Sequence, residues 1–288
     1  MKHLIYLLLI IFFNSCTQSF EIEMPVHKSK AVIHSLYKAE DTIKVYVTKS
    51  TGIFDYLEDN IEDATIKLYK NDVFLETLTY DSESNYYKSE NVAQINNDYQ
   101  IVADIPGVNA ISASSHTPKL PNLVSWEYIG EIGYADSESI FYMLKVEIDD
   151  DVSKRNYYEI MVNITEIDNE DYVGWGNQGL FNLSEPVFVN EENPKHLFSD
   201  DLFNGTNYTL NAGFVMHEDV NSFNLELVFR QVTKDYYNYK KKLDKHIEAQ
   251  GGDDIFGYME PVQMFSNING GYGVFTGYSE VRQVIIEN

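Results

Sequence analysis

From Ala31 to Pro118 the chain alternates apolar and polar residues at every second position, breaks at turn residues, and shows no helical period. Ile43, Val45 and Val47 alternate with Lys44, Tyr46 and Thr48, and Ala64, Ile66 and Leu68 alternate with Thr65, Lys67 and Tyr69. Successive side chains on a strand point to opposite faces, so such a segment buries one face and wets the other. Asn71 and Asp72 supply turn chemistry, and residues 73–80 read as the hairpin partner. Tyr99, Ile101, Ala103 and Ile105 mark another strand ending at Pro106-Gly107, and residues 110–114 a last short one. Roughly six or seven short strands in about 90 residues predict an immunoglobulin-like β-sandwich over residues 30–118. The Cys–Trp–Cys core of antibody domains is absent, so the likeness is architectural.

Residues 116–122 (HTPKLPN) read as a linker, because two prolines three positions apart stiffen it and bar a central strand. A second β-rich region is expected over 123–288, making the chain mainly β with tandem β-rich domains. Residues 140–148 (IFYMLKVEI) are strand-like, Asp149, Asp150 and Asp151 turn the chain, and 157–167 read as the returning partner. Residues 169–212 are less regular, and 223–232 alternate again. One helix is predicted near 234–249: after Thr233, the residues Tyr236, Tyr239, Leu243 and Ile247 recur at spacings of 3, 4 and 4. Lys240, Lys241, Lys242 and Lys245 read as its solvated face, and Gly251-Gly252 as its stop. Residues 268–275 form a Gly-rich turn into a closing strand.

The N-terminus carries a different signal. Met1-Lys2-His3 is a short basic start, residues 4–13 (LIYLLLIIFF) are uninterrupted apolar sequence, and Asn14-Ser15-Cys16 follows. This is the pattern of a secretory signal peptide over 1–15. The apolar run is shorter than the roughly 20 residues a membrane-spanning helix needs. Cys16 is the single cysteine of the chain. A thiol at the cleavage point and nowhere else points to acylation with palmitate-type chains rather than to redox chemistry. Residues 16–29 then form a lipidated tether. Thr17, not Asp, follows Cys16, which favours the outer over the inner membrane. Glu21 and Glu23 lie just after the lipid site, displaced several positions from where a surface-export signal places its acids and interrupted by Phe20 and Ile22; they favour the cell surface over the periplasmic face.

The body attached to this tether is strongly acidic. The chain has 45 Asp and Glu against 21 Lys and Arg, a net charge of −24. Such a chain repels phosphate backbones, which excludes nucleic acid as a partner, and repels anionic membrane surfaces. Contact with the membrane is therefore expected through the lipid anchor only.

No catalytic fingerprint is present: HExxH, GxSxG, P-loop and dinucleotide patterns are all missing. The chain is read as not an enzyme and as needing no cofactor. A carboxylate pair for glycoside hydrolysis is defined by spatial separation, which chain order does not supply. Acidic clusters at 55–63, at 149–151, at 166–171, and at Asp200-Asp201 with Asn204-Gly205 could in composition hold structural Ca²⁺, but none fits an EF-hand loop. The simpler reading is polar loops between strands. Asn163, Asn182, Asn204 and Asn207 begin N-x-S/T triplets that are incidental in a bacterium. Gly270-Gly271-Tyr272-Gly273 opens no helix, so it reads as a tight β-turn rather than a phosphate cradle.

Several stretches together resemble a Bacteroidota lipoprotein family described as domain of unknown function 4249. They are SCTQSFEIEMP and KAVIHSLY near the start, DATIKL at 63–68, LFSDDLFNG at 197–205, DYYNY at 235–239, Glu260-Pro261-Val262, and SNINGGYGVF at 266–275. The resemblance implies an accessory lipoprotein for nutrient uptake that partners a TonB-dependent outer-membrane receptor. It implies no catalytic residue. The alternative is a free-standing surface adhesin or glycan-binding lipoprotein, with Trp126 and Trp175 as stacking platforms. Asp41-Thr42-Ile43 also resembles the O-glycosylation motif of exported Bacteroidota proteins, making Thr42 a candidate modification site.

Overall fold

A computed structural model describes residues 27–52, 60–108, 110–152, 154–168, 171–178, 185–189, 196–218, 220, 222–250 and 262–287, with the backbone alone at 168, 171–178, 189 and 250. The signal at 1–15, Cys16 and the tether up to residue 26 lie outside the described residues. The fold is mainly β, as the alternation predicts.

Eight strands build the first sandwich: β1 (Ala31–Lys38), β2 (Thr42–Lys49), β3 (Thr65–Lys70), β4 (Val73–Thr77), β5 (Thr79–Asp81), β6 (Tyr86–Val92), β7 (Asn97–Asp104) and β8 (Ile111–Thr117). One sheet runs β4-β3-β7-β8 and faces β1-β2-β6-β5. The inward residues of the alternation, among them Ile33, Val45, Leu68, Tyr87 and Ile101, form one buried cluster between the sheets. Tyr87 lies in this core because its hydroxyl has partners there: it donates to the Ile61 carbonyl at 2.8 Å and accepts the Ala64 amide at 2.9 Å. Asn71 and Asp72 have φ of 48° and 65°, the left-handed pair that a tight hairpin turn requires.

The expected strand 73–80 divides in two. β4 pairs with β3, but β5 crosses to the opposite sheet and pairs with β6. Buried Leu78 sits at the corner, its amide donating to the Ile66 carbonyl at 2.8 Å. A strand that changes sheets there closes the sandwich edge over an apolar side chain.

The second sandwich contains β9 (Asn122–Tyr134), β10 (Ser139–Asp149), β11 (Tyr157–Asp168), β12 (Asp171–Gln178), the short helix α1 (Pro186–Val189), β13 (Leu197–Ser199), β14 (Asn207–His217), β15 (Phe223–Val232), helix α2 (Lys234–Gln250) and β16 (Tyr272–Ile286). One sheet runs β14-β10-β9. The pairing of 140–148 with 157–167 is not found. β10 lies between β9 and β14, while β11 pairs with β12, β13 and β15 in the facing sheet. Each strand is apolar on one face, and Leu144, Val146 and Ile148 meet Ile160, Val162 and Ile164 across a common core instead of side by side.

The last strand joins both sandwiches into one long sheet ordered β12-β11-β15-β16-β1-β2-β6-β5. The first half of β16 runs parallel to β1, from Val32↔Tyr272 to Lys38↔Tyr278, and its second half antiparallel to β15, from Val232↔Tyr278 to Leu225↔Ile286. Gly273 makes the close approach to β1: its φ is +103°, and a Cβ there would lie 1.9 Å from the Ile33 carbonyl oxygen. Residues of the connection are tied to the same strand, with the Ser279 hydroxyl donating to the Lys119 carbonyl and the Gly277 amide donating to Ser115 Oγ at 3.2 Å. No helix among the described residues is long and apolar enough to cross a membrane.

Candidate functional site

Helix α2 lies on the outer face of the long sheet and creates the sites found there. Thr233 caps it: Oγ1 accepts the Tyr236 amide at 3.1 Å, and the backbone carbonyl accepts the Tyr237 amide at 3.0 Å. Asp235 in the first turn suits the positive helix end. The buried face is Tyr236, Tyr237 and Tyr239, with Tyr236 and Tyr237 packed on Tyr157, Leu197 and Val232. The expected apolar stripe therefore ends early, because Ile247 is exposed. The lysines are also not one solvated face. Lys240 Nζ points beneath the helix to within 3.8 Å of Glu159 Oε1, and Lys241 donates to the Tyr237 hydroxyl at 3.2 Å.

Beneath the helix, three neighbouring strands place charges directly opposite one another. Glu159 of β11 is in register with Arg230 of β15, and Arg230 with Glu280 of β16. Arg230 Nη1 donates to Glu159 Oε2 at 2.7 Å and Nε to Glu280 Oε2 at 2.9 Å. The row extends through Arg282, which donates to Glu280 at 2.8 Å and to Glu226 at 2.8 Å. Lys38 of β1 lies 3.4 Å from Glu280. The Tyr236 hydroxyl donates to Glu159 Oε2 at 2.7 Å, and the guanidinium of Arg230 lies over the Tyr278 ring at 4.6 Å. His196 Nε2 faces the other Glu159 oxygen at 3.5 Å.

Burial alone would raise the Glu159 carboxyl, but His196, Arg230 and Lys240 overcome this and hold it at about 2. Burial also opposes ionisation of Glu280, and Arg282 with Arg230 hold it below the usual carboxylate range. Burial and the Glu159 charge push the Tyr236 phenol well above its ordinary value. Near neutral pH Glu159 and Glu280 are thus ionised and the Tyr236 phenol is neutral. General acid–base catalysis needs a group poised near the working pH. The row is suited to fastening α2 to the sheet, not to moving protons.

A second polar node gathers two of the acidic clusters. Asp150 accepts from the Tyr158 hydroxyl, from Asn156 Nδ2 at 3.2 Å and from the Gly205 amide at 2.9 Å. Asp200 accepts the Asn156 amide at 2.7 Å, and Gln231 donates to Asn156 Oδ1 at 2.8 Å. Burial, with the Asp150 charge adding to it, raises the Asp200 carboxyl. Asp149, Asp150 and Asp151 line a cavity of about 380 Å³ beside this node, where Asn122 binds Asp149 at 2.7 Å and Lys119 binds Asp151 at 2.6 Å. Each of these carboxylates is thus held within the fold. Among the described residues no group of three or more His, Cys, Asp or Glu side chains could hold a metal ion.

Two clefts flank the segment 263–266, which runs between α2 and the start of β16. One, of about 570 Å³, lies against Asn238, Lys241, Lys242 and Lys245 on α2. The other, of about 750 Å³, lies between β1, Tyr239 of α2 and the glycine run at 271–273. His34 on the outer face of β1 lines it, with its ring 5.7 Å from Tyr239 and 6.5 Å from Tyr46. Burial, helped by the Lys240 charge, lowers the pKa of His34 and favours its neutral form. The larger cleft was not read from the sequence, since its walls come from four separate stretches of chain.

The remaining predicted positions are dispersed. Thr42 opens β2 partly exposed, with its amide donating to Asp41 Oδ1 at 2.7 Å. Trp126 is exposed on β9, alongside exposed Val124. The Trp175 side chain, Asn182, the part of the first acidic cluster at 55–59, and Glu260-Pro261 lie outside the described residues, as do the side chains at 168–171. Glu226 binds Asn163 Nδ2 at 2.7 Å, so that asparagine belongs to the charge row.

The chain matches the family described as Domain of unknown function (DUF4249) over residues 17–284. No curated protein matches it in sequence. Among solved structures it is similar to a β-glucuronidase from glycoside hydrolase family 2, at 12% identity and TM-score 0.22, covering 72% of this chain and 19% of that one. It is also similar to a Corynebacterium diphtheriae protein described as membrane anchored, at 10% identity and TM-score 0.22, covering 72% of this chain and 55% of that one. The chain thus spans about a fifth of the first protein and just over half of the second. At such scores neither likeness carries an argument about fold or activity.

Proposed function

The chain belongs to the DUF4249 family, and from that premise we propose that it is a non-enzymatic outer-membrane lipoprotein. Anchored through Cys16 at the cell surface, it acts as an accessory or ligand-capture subunit of a TonB-dependent nutrient-uptake receptor. The observation that carries this reading is the apolar run at 4–13 followed within three residues by the only cysteine, Cys16, in a chain of net charge −24. Such a chain repels an anionic membrane surface, and a lipid tether holds it there.

Purification of the tagged full chain from detergent-solubilised outer membrane tests the partnership. A receptor barrel recovered with wild-type protein, in more than trace amount, is expected; recovery of the chain without any barrel removes the proposal.

The second reading, a free-standing glycan-binding or adhesive lipoprotein, is favoured by exposed Trp126 beside Val124 on the edge strand β9. Glycan binding that survives Trp126→Ala unchanged would take away that basis. Thr42, accessible next to Asp41, is the proposed O-glycosylation site. Intact mass of Thr42→Ala against wild type should differ by the glycan as well as the side chain.

A further inference from the structure

We propose that the cleft between β1, α2 and the glycine run at 270–273 is a binding site for a neutral carbohydrate. The inference deepens the ligand-capture reading and rests on it for its setting, while its chemistry stands on the cleft itself.

The volume of about 750 Å³ falls within the range of small-ligand sites. Its lining is unlike the rest of this chain. Although 23% of all residues are charged, no Asp, Glu, Lys or Arg is among the described residues that line it. An uncharged lining favours an uncharged ligand, because an ion buried against it loses water and meets no charged group in the lining itself, Lys30 lying only at the rim. The walls are aromatic and apolar, with Tyr239, Phe265 and Tyr272 supplying ring surface. The polar groups are His34, Gln263 and Ser266, which donate and accept hydrogen bonds without a net charge when the imidazole is neutral. Ring faces beside neutral hydrogen-bonding groups match a sugar, whose C–H faces are apolar and whose edge is a row of hydroxyls.

The glycine run explains how Tyr272 comes to be presented there. A Cβ at Gly271 would lie 2.7 Å from the Ala31 carbonyl oxygen, and one at Gly273 would lie 1.9 Å from that of Ile33. The backbone must therefore be bare on both sides of Tyr272 to run against β1. Tyr272 itself is 45% exposed, with Lys30 Nζ over its ring at 4.6 Å at the rim. Outside the cleft His34, Tyr46 and Tyr86 follow one another, ring centroids 6.5 and 5.3 Å apart with their planes tilted.

The test is binding of the acylated full chain, in detergent, to an array of neutral and acidic oligosaccharides, followed by titration calorimetry with the best neutral one. Tyr272→Ala should weaken that binding about tenfold and Tyr272→Phe should retain it. Val73→Ala, at an exposed position on β4 outside the cleft, should leave it unchanged. Gln263→Leu, at an exposed position outside any strand, should also weaken it and serves if Tyr272→Ala fails to fold. Absence of any neutral ligand, retention of acidic glycans alone, or binding indifferent to both Tyr272→Ala and Gln263→Leu would overturn the proposal. Co-purification of a receptor is read separately, so a chain that recovers its barrel but binds no neutral sugar sinks the cleft and spares the partnership.

Discussion

Glu159 and Arg230 stand directly opposite each other on adjacent strands, joined at 2.7 Å beneath helix α2. Seventy-one residues separate them in the chain, and the same guanidinium reaches Glu280 of the strand beyond at 2.9 Å. The row links β11, β15 and β16 below the helix that forms one wall of both clefts. Its role is to hold that wall in place.

Removing the central cation strands two buried carboxylates. Arg230→Met should lower unfolding stability by about 3–5 kcal/mol, read from urea denaturation. Replacing the pair together, Glu159→Leu with Arg230→Met, should cost clearly less than Arg230→Met alone, because no unpaired charge is left buried. Equal losses in the two variants would show that the contact is packing and not charge.

Acid should weaken the fold through the same residues. The folded Glu159 carboxyl sits at about 2 against 4.5 for an unperturbed one. A depressed folded value stabilises above the unfolded value and is lost as pH falls through the folded one. About 3 kcal/mol from this group should therefore disappear between about pH 4.5 and pH 2, with Glu280 acting in the same direction. Urea midpoints measured at pH 6 and pH 3 check this. The drop between them should be smaller in Glu159→Gln.

Two glycines with positive φ should respond very differently to alanine. Gly273→Ala forces a Cβ onto the Ile33 carbonyl, whereas Gly107 at φ +76° has open space around it. Gly107→Ala should cost about 1 kcal/mol of backbone strain. Gly273→Ala should cost several times more and disturb the parallel β1–β16 register, seen as loss of amide exchange protection in both strands.

The strands were legible because each buries one face: Ile43, Val45 and Val47 face the core as their spacing requires. The helix was legible from its tyrosines and its Thr233 start. Pairing was not, because a strand such as β10 is equally apolar whether its neighbour lies beside it or across the core. The charge row had a visible trace, since Glu159 interrupts YYEIMV and Arg230 interrupts LVFRQV in otherwise buried strands. Only the register shows that the two interruptions face each other. The cleft had less trace still: its glycines read as a turn, and the close approach to β1 that demands them depends on a strand more than 200 residues away in the chain.

Anchorage through Cys16 is tested most directly by metabolic labelling with an alkyne palmitate, followed by fractionation of the outer membrane, for wild type and Cys16→Ser. Wild-type protein should carry the label and sediment with the outer membrane, whereas Cys16→Ser should carry none and leave that fraction. Unlabelled wild-type protein, or Cys16→Ser that remains in the outer membrane in equal amount, would contradict a lipid tether at this residue.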